Sequence, residues 1–174
     1  MNRCHECTEC VSLKIEAQAF LSSKSQKRCL KLNQDIRVTR NKPEFREDEY
    51  HLYKNYSETW HKSDSVLDEQ KYTQLYVLSP VDSEILRYEL HGKLLGCSYI
   101  DILPDSISSV YFTFDPDERK RGLGKYSVLY EIELCRSLKK NWYQIGYYVK
   151  ECRKMRYKAE YKPHQFLING KWED

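Results

Sequence analysis

One stretch limits the folds open to this chain more than any other: residues 107–140, read with the strands on either side. Ile107–Phe114 (ISSVYFTF) is rich in β-branched and aromatic residues and predicts a strand. Asp115-Pro116-Asp117 ends it, because proline has no N–H for the ladder and aspartate favours turns. Arg119-Lys120-Arg121-Gly122-Leu123-Gly124 follows, and an apolar-periodic run from Tyr126 to Leu138 predicts a helix. Trp142–Val149 then returns as a strand. Glycines before a helix let a backbone approach a ligand, and the free N–H groups and dipole of the helix start attract anions. Arg119, Lys120 and Arg121 add to that attraction. The same residues also suit a plain strand–turn–helix joint with a solvated basic face, since one GxG is weak evidence for a ligand.

The remaining elements fall around this segment. Val11–Phe20 alternates and predicts a strand with one wet face. Ser22 and Ser23 precede Lys24–Leu32, a short basic helix with a serine N-cap. Ile36–Thr39 is a brief strand. After Pro43, Arg46–His61 predicts a helix with an acidic first turn. Asp68–Leu78 predicts a second helix, ending before Pro80. Glu84–Leu90 and Lys93–Leu103 form a hairpin across His91-Gly92, which residues 107–114 extend to a meander. Glu151–Tyr161 is expected as a short basic helix stopped by Pro163, and Phe166–Ile168 as a last strand. The fold class expected is α+β, with a mixed, largely antiparallel sheet flanked by helices.

Charge says more by its distribution than by its sum. The formal net charge is only +3, which by itself names no nucleic-acid partner. From Lys24 to Arg40 there are six basic residues and one acidic; from Lys150 to Lys162, six and two. Between Glu44 and Gln70 the balance reverses, with eight acidic and three basic. Two basic patches separated by an acidic stretch suggest a positive surface on one side of the fold. No run reaches the length of a membrane span and the N-terminus has no apolar signal region, so a cytoplasmic protein is expected. In a reducing compartment seven cysteines are no disulfide framework. Cys4, Cys7 and Cys10 form C-x-x-C-x-x-C, a spacing that can bring three thiolates to one metal, zinc or an iron–sulfur cluster, with His5 or Cys29 as a fourth ligand. The alternative is a loop of reduced thiols. Cys97, Cys135 and Cys152 read as small core residues.

An antiparallel meander followed by a helical crossover to a further strand resembles the layout of acetyltransferase-like (GNAT) acyl-transfer domains, although fold alone does not fix function. Particular residues are more specific. Tyr99-Ile100-Asp101-Ile102-Leu103-Pro104-Asp105, Ser108-Ser109-Val110-Tyr111, Phe114-Asp115-Pro116-Asp117 and Leu123-Gly124-Lys125-Tyr126-Ser127 resemble the aminoacyl-tRNA–protein transferases of the N-degron (N-end rule) pathway. So do Gly146-Tyr147-Tyr148, Lys154-Met155-Arg156-Tyr157-Lys158, and Tyr161-Lys162-Pro163 before Gly170-Lys171-Trp172. The cysteine motif and Ser23-Lys24-Ser25-Gln26-Lys27-Arg28 look like the bacterial aspartate/glutamate leucyltransferase branch. The family carries a further small segment before the cysteines, so residues 1–40 are expected as the remnant of an N-terminal cysteine-containing domain and 41–174 as the GNAT-like transferase domain.

The resemblance implies transfer of an amino acid, leucine in preference to arginine, from charged tRNA to the N-terminal amine of proteins beginning with Asp or Glu, marking them for degradation. No cofactor is required, and no membrane or DNA partner is expected. The ester is already activated and the acceptor amine has an ordinary pKa of about 7.7–8.0, so no covalent nucleophile is needed. Positioning, proton removal and oxyanion stabilisation remain. Asp101 and Asp115 are the candidate proton acceptors, and both also suit turn capping. Tyr111 lines either the donor cleft or the core. Gly122, Gly124 and Arg121 at the glycine turn, with Lys154, Tyr157 and Lys158, are the candidate tRNA and substrate contacts. Lys154 and Lys158 are expected four apart on one helix face. Two other readings stay open: a shortened, non-catalytic tRNA- or degron-binding module, and a CoA-dependent acetyltransferase. KRGLG fits the R/Q-x-x-G-x-G/A turn of the last only loosely.

Overall fold

The computed structural model describes residues 9–60 and 66–174. Among these, eight strands form one sheet: β1 (Val11–Glu16), β2 (Arg37–Asn41), β3 (Ser83–Leu90), β4 (Lys93–Ile102), β5 (Ser106–Phe114), β6 (Trp142–Tyr148), β7 (His164–Ile168) and β8 (Lys171–Glu173). Four helices accompany them: α1 (Lys24–Leu32), α2 (Glu47–Thr59), α3 (Glu69–Tyr72), which runs on as a π-helical Thr73–Val77, and α4 (Leu123–Ser137). The strand order is β2-β3-β4-β5-β6-β1-β7-β8. Every pairing is antiparallel except β5 with β6. A parallel pair needs a crossover of a dozen or more residues, and α4 supplies it. The boundary expected between residues 40 and 41 falls inside β2, and β1 is an interior strand of the same sheet.

Helices cover both faces of the middle of the sheet, α2 over β4 and β5 on one side and α4 over β5 and β6 on the other. Strands buried on both faces read as continuous apolar runs, and β4 is buried without a break from Leu95 to Ile100. Leu86, Tyr88 and Ile100 join the α4 side, with Leu129 and Ile132. Ile85, Cys97 and Tyr99 join the α2 side, with Tyr50, Tyr53 and Tyr72. The buried Tyr72 and Tyr99 hydroxyls satisfy each other at 2.6 Å.

Local chemistry explains where the elements start. Ser23 and Gln26 close a reciprocal capping box at α1. Glu47, Asp48 and Glu49 favour the start of α2 electrostatically. Arg87 of β3 then clamps that helix start to the sheet, donating to Asp48 at 2.6 Å and to the fully buried Glu49 at 2.7 Å. The β7–β8 hairpin is tied back by Lys14, whose ammonium lies 3.7 Å from the Trp142 ring and 4.3 Å from the Trp172 ring.

The basic helix expected over Glu151–Tyr161 is corrected to a series of turns ending in a 3₁₀ segment, Arg156–Glu160. Tertiary bonds override propensity here. Lys158 Nζ donates to the carbonyls of Ile145 at 2.9 Å and Tyr147 at 2.7 Å, while the buried Tyr161 ring stacks on Phe20. The last strand is also longer than expected and turns through Asn169-Gly170 into β8, an element missed in the sequence.

Candidate active site

The site begins where β5 and β6 part. They pair only at Ser106 with Trp142, Ile107 with Tyr143 and Ser108 with Gln144. Immediately beyond, each strand carries an extra residue. On β5, Ile100 of β4 faces Ser109 and Tyr99 faces Tyr111, which leaves Val110 unpaired. On β6, Lys14 of β1 faces Gln144 and Leu13 faces Gly146, which leaves Ile145 unpaired; Gly146 takes φ +84° there. A bulge bends its strand and raises its twist, and two side by side drive the pair apart. The carbonyls of Ile145 and Tyr147 thereby lose any partner from β5. They are two residues apart, so they point to the same side of β6, and the Lys158 ammonium takes both. Burial pushes the Lys158 pKa down.

Farther along, between the end of β5 and the segment that follows β6, lies a cavity of about 700 Å³ lined by Tyr56, Trp60, Phe114, Gly124, Lys154 and Tyr157. One wall is the C-terminal turn of α2, where Trp60 meets the Phe114 ring edge-on at 5.1 Å. Another is the N-terminus of α4. Gly122 (φ +65°) is its N-cap in the left-handed region, and no side chain among the described residues caps the helix. A Cβ on Gly124 would meet nothing within 4 Å, so the backbone there is open to the cavity. Lys154 stands exposed at the mouth with no ion pair among the described residues.

α1 lies beside this helix start. Asn33 Nδ2 donates to Arg121 O at 2.9 Å, and the Cys29 sulfur packs 3.7 Å from Gly122 O. Lys24, Lys27, Arg28 and Lys31 are exposed along α1, at a spacing that keeps them on neighbouring faces. Arg119 and Lys120 are exposed on the turn. Exposed cations therefore border the glycine turn on the α1 side, and β2 contributes less, because Arg40 is committed to Glu84 at 2.6 Å.

The expected site residues separate into two groups. Gly122, Gly124, Lys154 and Tyr157 gather at the cleft. Arg121 does not offer a free charge: it pairs with Asp35 at 3.1 Å and Glu118 at 3.3 Å, joining the turn to α1. Lys158 shares no helix face with Lys154, because the helix is absent, and its ammonium seals the parted edge of β6. Asp115 caps the 3₁₀ segment after β5, accepting from Asp117 N at 3.0 Å and pairing with Lys93 at 2.7 Å. Asp101 accepts from Ser83 Oγ at 2.6 Å and lines a separate cavity of about 280 Å³. It lies five residues along β4 from Gly96, the partner of Phe114, or about 17 Å at 3.3–3.4 Å per residue. Tyr111 stacks on Tyr76, 5.0 Å between centroids, on the α2 side of the core. Cys4 and Cys7 lie outside the described residues. Cys10 is half-buried just before β1, and burial pushes the Cys29 thiol pKa up, which opposes the thiolate a metal needs.

One residue at the floor of the gap escaped the sequence reading. Glu131 of α4 is 1% exposed, accepting from Ser98 Oγ at 2.6 Å and Tyr143 Oη at 2.8 Å. Burial pushes its pKa up to about 7, against these hydroxyls and a weaker contribution from Ser109. A glutamate in a helix reads as solvated. The available signal was its place three residues after Val128 and four before Cys135, on the buried stripe.

An antiparallel meander, a parallel pair that parts, and a glycine-led helix at the parting define an acetyltransferase-like (GNAT) acyl-transfer fold. Solved structures share it: the GCN5-related glucosamine N-acetyltransferase region of a fungal multi-domain GH3 β-N-acetylglucosaminidase superposes with TM-score 0.58 at 14% identity, over 88% of this chain and 19% of that one. L-PGS from Bacillus licheniformis gives 0.60 at 12%, over 80% and 45%. Residues 48–168 match the family described as "Arginine-tRNA-protein transferase, C terminus", and the chain belongs to this family of aminoacyl-tRNA–protein transferases. The aspartate/glutamate leucyltransferase of Pseudomonas paraeruginosa is 34% identical over 171 residues, 97% of this chain and 73% of that protein.

Proposed function

We propose that the protein transfers an amino acid, leucine in preference to arginine, from the 3′ ester of a charged tRNA to the N-terminal amine of a protein that begins with Asp or Glu, marking that protein for degradation. The observation that carries this reading is the cleft between the parted strands: aromatic on its walls, open to the backbone of the α4 N-terminus, and bordered by exposed cations on α1, the glycine turn and Lys154. The neutral amine attacks the ester carbonyl carbon, the carbonyl oxygen takes the negative charge, and the C–O bond to the ribose breaks as the amine proton is lost and the 3′ oxygen is protonated. The N–H groups at Leu123 and Gly124, at the open start of α4, suit an anion, whether phosphate or developing oxyanion. The flat faces of Trp60 and Tyr157 suit a nucleoside base. Lys154 serves the phosphates of the tRNA 3′ end as a point charge.

The preference for leucine rests on the relative's name and on the bacterial-branch motifs. The deciding experiment is a transfer assay with separately labelled Leu-tRNA and Arg-tRNA and peptides beginning with Asp, Glu or Ala. Leucine transfer confined to the Asp and Glu peptides is expected. Arginine transfer alone reassigns the donor, and acetyl-CoA binding without transfer from either tRNA overturns the reading. The cysteine motif carries a separate proposal, a bound zinc ion or iron–sulfur cluster at Cys4, Cys7 and Cys10. Their triple replacement by serine is expected to abolish the metal content of protein purified anaerobically.

A further inference from the structure

We propose that Glu131 is a positioning residue for the acyl transfer: by accepting hydroxyls from neighbouring strands it fixes the point at which β5 and β6 part, and with it the floor of the cleft. The proposal rests on the reading of the cleft as the transfer site. Its geometry is independent of that reading. One carboxylate reaches Ser98 on β4 and Tyr143 on β6, with Ser109 on β5 adding more weakly. Tyr143 belongs to the last stretch of paired β6, and Ser109 is the first residue of β5 past the pairing. The carboxylate therefore spans the apex of the gap. A fully buried carboxylate with no ion pair among the described residues is costly to keep, so its persistence there needs a return other than stability.

The network reaches the cleft wall. Tyr157, which lines the cavity, has its pKa raised by burial and by the Glu131 charge, and Tyr143 is raised by burial, by Glu131 and by Tyr157. The ionisable groups facing Glu131 are Tyr88 of β3, Tyr143 of β6, and Tyr157 and Tyr161 from the segment after β6. All four are pushed above the ordinary tyrosine value and stay neutral between pH 6 and 8. Over that range Glu131 alone among them changes charge. As a carboxylate it accepts every hydroxyl; protonated, one of its oxygens becomes a donor and a hydroxyl there must turn round to accept, which changes the bonds that hold the apex.

The test uses the full chain with Glu131→Gln and Tyr143→Phe. Both are expected to fold, and both to lower kcat by about 10–100-fold, the scale of a small misplacement of the reacting groups. KM for charged tRNA should change far less, because the cations that hold the tRNA lie on other elements. In Glu131→Gln the kcat–pH profile should lose an inflection near 7, while the acceptor amine keeps its own near 8. Wild-type kcat with an unchanged profile in Glu131→Gln overturns the proposal, and so does a persistent inflection near 7. If Glu131→Gln does not fold, Tyr143→Phe decides, and wild-type kcat there overturns it. A wild-type protein that transfers from neither tRNA is a failure of the functional reading instead. The positioning claim is then read from the fluorescence of Trp60 in a background where Trp142 and Trp172 are replaced by Phe: a pH dependence near 7 that vanishes in Glu131→Gln upholds it, and one that persists overturns it.

Discussion

Lys154 and Lys158 show how differently two residues of one motif are used. Lys158 gives its ammonium to two carbonyls that the parted sheet leaves without partners, and it is half-buried. Lys158→Ala removes the donor and strands both acceptors, so a loss of about 1–3 kcal/mol is expected, measured by denaturant unfolding. Transfer should fall in parallel as the cleft edge frays. Lys154 is exposed at the cavity mouth. Lys154→Ala should leave stability unchanged within about 0.5 kcal/mol, lower transfer, and flatten the salt dependence of tRNA binding by roughly one unit of slope. Equal loss of stability in both variants would show that the two lysines are alike after all. The K-M-x-Y-K spacing pointed to this region but could not separate the two roles, because the separation depends on where β6 has bulged.

At the scale of elements, α2 walls the cleft and α1 lies beside the glycine turn that borders it. α2 is docked by Arg87 on Asp48 and Glu49, with Glu49 fully buried and its pKa pushed up by burial. Arg87→Ala leaves that carboxylate without its hydrogen-bonded cation, with Arg46 still 3.9 Å away, and a loss of about 3 kcal/mol is expected on thermal or urea unfolding. Arg87→Ala with unchanged stability would mean that α2 is held by its tyrosine face alone. α1 is joined to the glycine turn through its C-cap Asn33 and offers cations on its exposed faces. Replacing Lys24, Lys27, Arg28 and Lys31 by glutamine should keep the helix, since the Ser23 cap is untouched. It should reduce the tRNA salt slope by up to about four units, at roughly 0.9 for each phosphate no longer neutralised. An unchanged slope would remove α1 from the tRNA surface. The serine cap and the basic character of α1 were both legible in the sequence, being local; the reciprocal bond to Gln26 was not foreseen. The short basic helix expected at 151–161 was not realised, because distant carbonyls and a buried tyrosine override its local preference.

Over the whole molecule, the buried carboxylate of Glu131 makes stability depend on pH. Its ordinary value is 4.5 and in the fold it is about 7. Between these values the folded protein keeps a proton that the unfolded chain has lost. The contribution is thus fully present below pH 4.5 and is lost as pH rises through 7, by about 3 kcal/mol at 1.36 kcal/mol per pKa unit. Unfolding free energies of wild type and Glu131→Gln, measured from pH 4.5 to 8, should therefore diverge, with the variant losing less as pH rises. Parallel curves would mean that Glu131 is charged at neutral pH at no cost, against its burial.

The sequence by itself determined what depends on neighbours along the chain: the alternating strands, the Ser23 cap, the His91-Gly92 hairpin, and the proline and glycine turn that starts the long helix. It also carried the family motifs, and so the class of reaction. Only the tertiary structure decided which motif residues meet. Asp101 and Asp115 share the character of acids at strand ends, yet one lies far along β4 from the cleft and the other caps a turn and pairs with Lys93. Two bulges on different strands create the gap, and bulges follow from register between strands, which no single stretch encodes. Glu131 shows the same limit from the other side: a charged residue on a helix becomes the floor of a site only because three strands bring hydroxyls to it.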